Sequence, residues 1–388
     1  VERAMRSVWL CLLGLPVVLG SCSTAMDCSL LGECSQGVCI CEKGWTGEKC
    51  SVLKQGRSTV VWPTPEGSAT AASWGASVLT PPQKFRGETH MFTDTVCRMD
   101  SCAHTVSAQI VHSTSSNGVH GPFRYEEVAV PSEIENVHAV HTHDGEVLLY
   151  YGDHEFKFPN ATCTGQAKEP LPTADEVDTP PYPRRVRRMG IAHKRTRISV
   201  DGEWGLSRED SWEYHFPKYS SDMTGYLPIV NPSPLILPNG SVILAFRYDA
   251  HSQNYSETNA IAYADSWRGP YRLVTDAATP GVNCEDPFIF QNRHGLHLVF
   301  HCYRGNITGC HSFSPDGVHW TVSNETTYDT TVTYHNGTTH NYQYRERPEL
   351  LFRPDGSPYA LMTGVEWGDK SNDPPNCDSY SIVTDIAE

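Results

Sequence analysis

Asp286-Pro287-Phe288-Ile289-Phe290, a turn, and then Gly295-Leu296-His297-Leu298-Val299-Phe300 form the stretch from which the fold can be read. A polar residue and a proline lead an apolar strand, a turn reverses the chain, and a second, more apolar strand follows. The same order recurs in Ser233-Pro234-Leu235-Ile236-Leu237 with Asn239-Gly240 and Val242-Ile243-Leu244-Ala245-Phe246, and in Arg347-Pro348-Glu349-Leu350-Leu351-Phe352 with Asp355-Gly356 and Tyr359-Ala360-Leu361-Met362. His138-Ala139-Val140 with Asp144-Gly145 and Val147-Leu148-Leu149-Tyr150-Tyr151 is a further copy, and Trp74-Gly75-Ala76-Ser77-Val78-Leu79 with His90-Met91-Phe92-Thr93 a weaker first one. Third strands echo at Gln109–Ser113, Gly190–His193, Ala260–Ala264 and Gly309–Ser314, and outer strands begin at Gly121-Pro122-Phe123, Gly269-Pro270-Tyr271 and Gly317-Val318-His319-Trp320. Units of three to four short strands that bury their faces only against neighbours predict an all-β, five-bladed β-propeller over residues 74–388. Ser379–Thr384 reads as the last outer strand, completed by Ser58-Thr59-Val60-Val61-Trp62 from the other end of the chain. A β-sandwich would share the alternation, but not the recurring proline starts and Gly-Pro-aromatic outer strands.

The 388 residues carry 45 acidic against 30 basic side chains, a formal net charge of −15, and 39% of them are hydrophobic. That apolar content supports a sizeable core, while the negative charge disfavours nucleic acid and anionic membranes as partners.

Residues 1–20 contain Arg6 and then an apolar run from Val8 to Leu19, the pattern of a secretory signal peptide. Asn-x-Ser/Thr acceptors at Asn160, Asn239, Asn254, Asn306, Asn324 and Asn336, together with 14 cysteines, agree with an oxidising, glycosylating route. No later apolar run has the length of a transmembrane helix, so a secreted, extracellular protein is expected.

Six cysteines at 22, 28, 34, 39, 41 and 50 leave gaps of five, five, four, one and eight residues, with Gly44-Trp45-Thr46-Gly47 inside the last. Spacing alone leaves fifteen pairings open. The pattern resembles the epidermal-growth-factor (EGF)-like module, which implies Cys22–Cys34, Cys28–Cys39 and Cys41–Cys50, and residues 21–51 are assigned to it. A segment this short needs bridges in place of a core. It would act as a spacer or a contact surface for an extracellular protein partner. Residues 52–73, rich in Ser, Thr, Pro and Gly, read as a linker.

Cys284-Glu285-Asp286-Pro287-Phe288-Ile289, Trp267-Arg268-Gly269-Pro270-Tyr271, Gly309–Trp320 and Arg345-Glu346-Arg347-Pro348-Glu349-Leu350 together resemble the five-bladed propellers of family 43 glycoside hydrolases and their relatives. The resemblance implies inverting hydrolysis of a furanoside or pyranoside at the mouth of the central channel. Three carboxyls would serve it, one activating water, one protonating the leaving oxygen and one orienting the acid. Asp286 matches the Asp-Pro position, with Glu285 and Glu349 as the other catalytic candidates. An aspartate is also expected on the first inner strand, where this chain reads Ser73-Trp74-Gly75-Ala76-Ser77 and has no carboxylate.

Aligned as His138, Ser233, Asp286 and Arg347, with Asn136, Asn231 and Arg345 two residues earlier, the inner strands would line a funnel with Trp74 as an aromatic platform for an oligo- or polysaccharide. His301 and His311 are further channel candidates, where relatives can hold a metal ion; no cofactor is otherwise indicated. The alternative function is a non-catalytic, lectin-like or adhesion propeller. Of the remaining cysteines, Cys302–Cys310 and Cys97–Cys102 could close short loops, while Cys163, Cys284 and Cys377 have no assignable partner. A Pro-rich insertion from Gln166 to Arg197 contains Arg184-Arg185-Val186-Arg187-Arg188, a solvated loop or a multibasic processing site.

Overall fold

The computed structural model describes residues 22–61, 71–97, 108–131, 134–154, 187–226, 229–248, 257–304, 306–366 and 379–388. The expected signal peptide, the Cys97–Cys102 pair, Cys163, Cys377 and the acceptors Asn160 and Asn254 therefore lie wholly or partly outside the described residues. Among those described, the chain is all-β apart from short 3₁₀ turns.

Five antiparallel sheets stand around a central axis. Their inner strands are Ala71–Leu79, Ile134–His141, Val230–Ile236, Cys284–Gln291 and Tyr344–Phe352. The second strands are apolar on both faces because each sheet is sandwiched between two others. In the second blade Leu148 and Tyr150 pack toward the third, while Val147, Leu149 and Tyr151 pack toward the first. Each of the five junctions between neighbouring blades carries its own core cluster.

Gln55–Val60 pairs antiparallel with Ser379–Ile386, Val60 opposite Ile382 and Ser58 opposite Thr384, so both ends of the chain complete the fifth blade. The linker assignment is corrected accordingly. Val52–Leu53 pairs with Trp45–Thr46 in the small module, and Gln55–Val60 is an outer strand because alternate side chains, such as buried Ser58, meet the blade. The insertion is also shorter than expected, since Arg187–Ile198 is a strand paired to Glu146–His154. Arg188 sits in that ladder opposite Asp153, with Nε 3.1 Å from its carboxylate, so this end of the basic run is paired within the sheet.

The small module carries the bridges Cys22–Cys34, Cys28–Cys39 and Cys41–Cys50, and the propeller carries Cys302–Cys310. The module is docked on the propeller. Trp45, 2% exposed, packs against Phe290 and His311 with centroids 6.2 and 5.8 Å away. Ser51 Oγ meets His311 Nδ1 at 2.9 Å, and the Glu325 carboxylate accepts from the backbone N–H groups of Lys49 and Ser51 at 3.1 and 3.0 Å. Gly47 has φ of 95°, and a Cβ there would lie 2.5 Å from that carboxylate, so both conformation and space demand glycine.

Candidate functional site

Every inner strand carries a β-bulge at the same point, between Ser73/Ala76, Glu135/His138, Val230/Ser233, Glu285/Phe288 and Glu346/Glu349. Inside each bulge one residue is left-handed: Gly75, Asn136, Asn231, Asp286 and Arg347, with φ of 71°, 64°, 51°, 54° and 58°. Four non-glycine residues hold a conformation that costs energy, and a bulge used this way re-aims side chains toward the axis. The bulges correct the expected alignment: Asn136 and Asn231, not His138 and Ser233, are equivalent to Asp286 and Arg347. His138, Ser233 and Glu349 stand two residues further on.

The ring closes through hydrogen bonds that link all five blades. Asn136 Nδ2 donates to Asn231 Oδ1, and Asn231 Nδ2 donates to Asp286 Oδ1 at 2.5 Å. Asp286 Oδ2 accepts from the Arg347 backbone N–H at 3.2 Å. The Arg347 guanidinium crosses blade one to donate to Asp94 Oδ2, and Asp94 in turn accepts from the backbone N–H groups of Asn136 and Val137 at 2.5 and 3.3 Å. A Cβ on Gly75 would come within 2.9 Å of Arg347 Cβ, so the arginine occupies the space a first-blade side chain would need. Burial raises the Asp94 pKa against the pull of Arg347, whereas Asp286, equally buried, is held below its ordinary range by His301 and Arg347.

Trp74, His138 and Glu349 line the cavity within this ring together with Asn231, Asp286 and Arg347. Its volume is about 40 Å³, room for ordered water. Glu349 Oε1 accepts from the Val78 N–H at 2.9 Å, His138 Nδ1 lies 3.7 Å from Oε2, and burial pushes the carboxyl up to about 8 and the imidazole down to about 3.

One residue before the ring stand Glu285 and Glu346, with 19% and 13% of their side chains exposed against 5% for Asp286. His301, opposite Glu285 in the ladder, joins all three carboxyls. Its Nδ1 is 3.1 Å from Asp286, and its Nε2 is 3.5 Å from Glu285 and 3.8 Å from Glu346. Burial opposes a charge on His301, but Glu346, Asp286 and Glu285 outweigh it and lift its pKa to about 9. Burial, then the charges of Asp286 and Glu285, raise Glu346 to about 7. Glu285 also accepts from Tyr303 Oη at 2.6 Å and pairs with Arg247 Nη1 at 3.3 Å. Asp286, His301 and Glu346 each offer a donor within 4.8 Å of the others, so they are the residues that could hold a metal ion in the channel.

Three expected binding residues lie elsewhere. Ser233 Oγ is buried and accepts from the Ile289 N–H at 3.0 Å, stitching blade three to blade four. Arg345 points between strands to Gln55, Asp329, Thr363 and Thr384, because residues two apart across a bulge do not share a face. His311, on a third strand, is covered by the small module.

Residues 25–53 match the Teneurin-like EGF domain family. Comparison with curated proteins finds no match. Among solved structures, a family 117 glycoside hydrolase of the marine bacterium Zobellia galactanivorans is similar at TM-score 0.53 and 13% identity, over 86% of this chain and 90% of that one. A Dyadobacter fermentans protein of unknown function gives 0.54 at 11% over 86% and 98%, and a Bacillus subtilis levansucrase 0.53 at 8% over 89% and 97%. At these identities the likeness is one of fold: an EGF-like module joined to a five-bladed propeller of the architecture that glycoside hydrolases use.

Proposed function

We propose that the protein is a secreted, glycan-active propeller that cleaves a glycosidic bond at the ring of inner-strand starts, with Glu346 as proton donor and Glu285 as the carboxylate that activates water. The observation that carries this reading is the convergence of these two partly exposed carboxyls on His301, one of them lifted to about 7 and so able to hold a proton near neutrality. Tyr303 and Arg247 hold Glu285, and Asp286 orients His301 without reaching solvent.

A second reading, a lectin-like propeller, is favoured by one observation. Blade one offers Trp74, not a carboxylate, at the position of Asp286, and Asp94 is committed to Arg347, Asn136 and Val137. Measuring released reducing ends and bound glycan on the same panel of polysaccharides and aryl glycosides distinguishes the two. Release that is lost in Glu346→Gln supports hydrolysis, and binding without release supports the lectin.

A further inference from the structure

Blade two carries a second cluster of ligating side chains, remote in sequence from the ring residues. His193 lies on Arg187–Ile198, and Glu213 and His215 on the three-residue outer strand Glu213–His215 paired to it. Glu213 stands directly opposite His193 and His215 is the diagonal neighbour on the same face, so the ladder register aims all three at one point. His193 Nε2 is 2.8 Å from His215 Nε2 and 3.1 Å from Glu213 Oε2, and the three donor atoms lie within 4.8 Å of one another.

We propose that His193, His215 and Glu213 form a site for a late first-row divalent cation of the Zn²⁺ type, with its fourth position open to solvent. A single imidazole nitrogen has one hydrogen or one lone pair, and His193 Nε2 faces two polar partners at once; a cation satisfies all three donors together. Tetrahedral Zn²⁺ would need the donors about 3.3 Å apart, a spread of a few tenths of an ångström that the exposed Glu213 and half-buried His215 allow.

The surroundings complete the pattern. His193 is 7% exposed, its Nδ1 is buried without a hydrogen bond, and Glu146 Oε1 lies 3.9 Å from that nitrogen. A carboxylate behind a ligating histidine fixes its tautomer and raises its basicity. Trp267 of blade three packs against both imidazoles at 5.1 and 5.3 Å, which orients the rings and shields one side. The other side opens on a cavity of about 500 Å³ holding Glu209 and Asp210 as well as Arg195 and Arg268. The short outer strand has only three ladder positions to hold it, and the cation would staple it to the blade.

The test is isothermal titration of the chelator-treated full chain with ZnCl₂, with a Co²⁺ visible spectrum and thermal unfolding as parallel readouts. We expect a Zn²⁺ equivalent and a tetrahedral Co²⁺ band that are lost in His215→Gln, a raised Tm with Zn²⁺, and affinity about tenfold weaker in Glu146→Gln. His215 is only partly buried, so its variant tests the site without emptying a core; circular dichroism confirms the fold. The same Zn²⁺ stoichiometry and Co²⁺ spectrum in wild type and His215→Gln, or no Zn²⁺ binding at all, would overturn the site.

Discussion

The guanidinium of Arg347, on the last blade, passes over Gly75 and hydrogen-bonds Asp94 on the first, closing the polar ring where chain ends meet. On blade one the register places Trp74 at the position of Asp286, and the anion that meets the ring, Asp94, comes from the second strand.

Because both partners are buried, their worth appears mainly when one is removed. Arg347→Met leaves Asp94 uncompensated and is expected to lose about 3–5 kcal/mol in urea unfolding. The double variant with Asp94→Leu should recover a large part of that loss; a double variant no better than the single one would show that the pair is not the source.

Stability should fall on both sides of weakly acidic pH. Glu349 and His301 have pKa values raised by folding, to about 8 and 9, so their contributions are full below the unfolded values and are lost as pH rises through those figures. His90, His138 and His311 are depressed to about 3, so their neutral forms stabilise the fold above their unfolded pKa, and that contribution is lost as pH falls toward 3. Glu349→Gln should flatten the alkaline limb, by an amount on the order of a few kcal/mol, and leave the acid limb unchanged. Unfolding free energies from pH 4 to 9 decide it; an unaltered alkaline slope refutes the assignment.

The small module should unfold with the propeller. Its Trp45 and bridged cysteines share a core cluster with Phe288, Phe290, Leu350 and Leu361. Trp45→Ala is expected to cost about 3–5 kcal/mol and keep a single calorimetric transition. Two separate transitions in the wild type would mean the module is tethered instead of docked.

Cys284, the one free cysteine among the described residues, is buried, its thiol pushed up to about 12, with Sγ 3.1 Å from Thr279 Oγ1. It should stay unalkylated by iodoacetamide in the native state and react on denaturation, as peptide mass mapping would show. Modification in the folded protein would reopen a role as nucleophile.

The blades were legible because Pro287, Pro348 and the Gly-Pro outer strands punctuate the repeat, and because second strands such as Val242–Tyr248 are apolar on both faces. Registration of the ring was not. Asn231-Pro232-Ser233-Pro234 offers two prolines to align, and only the bulge shows that Pro232 matches Pro287 and Pro348. The alignment of Asp286 with Arg347 already set Glu346 beside Glu285, but nothing in the sequence showed that both carboxyls meet His301. Asp94 had no such signal: it sits within Thr93-Asp94-Thr95, a second strand whose approach to Arg347 depends on closure of the ring. Docking of the module was likewise hidden, since Trp45 reads equally as a turn aromatic of its own domain.

The central claim rests on Glu346. Reducing-end release from a glycan panel should be measured between pH 5 and 9 for the wild type, Glu346→Gln and Glu285→Gln, with binding to the same glycans measured alongside. Activity that declines as pH rises through about 7 in the wild type, and is lost in both variants while Glu346→Gln still binds, is the predicted result. Release that persists undiminished in Glu346→Gln would contradict the account.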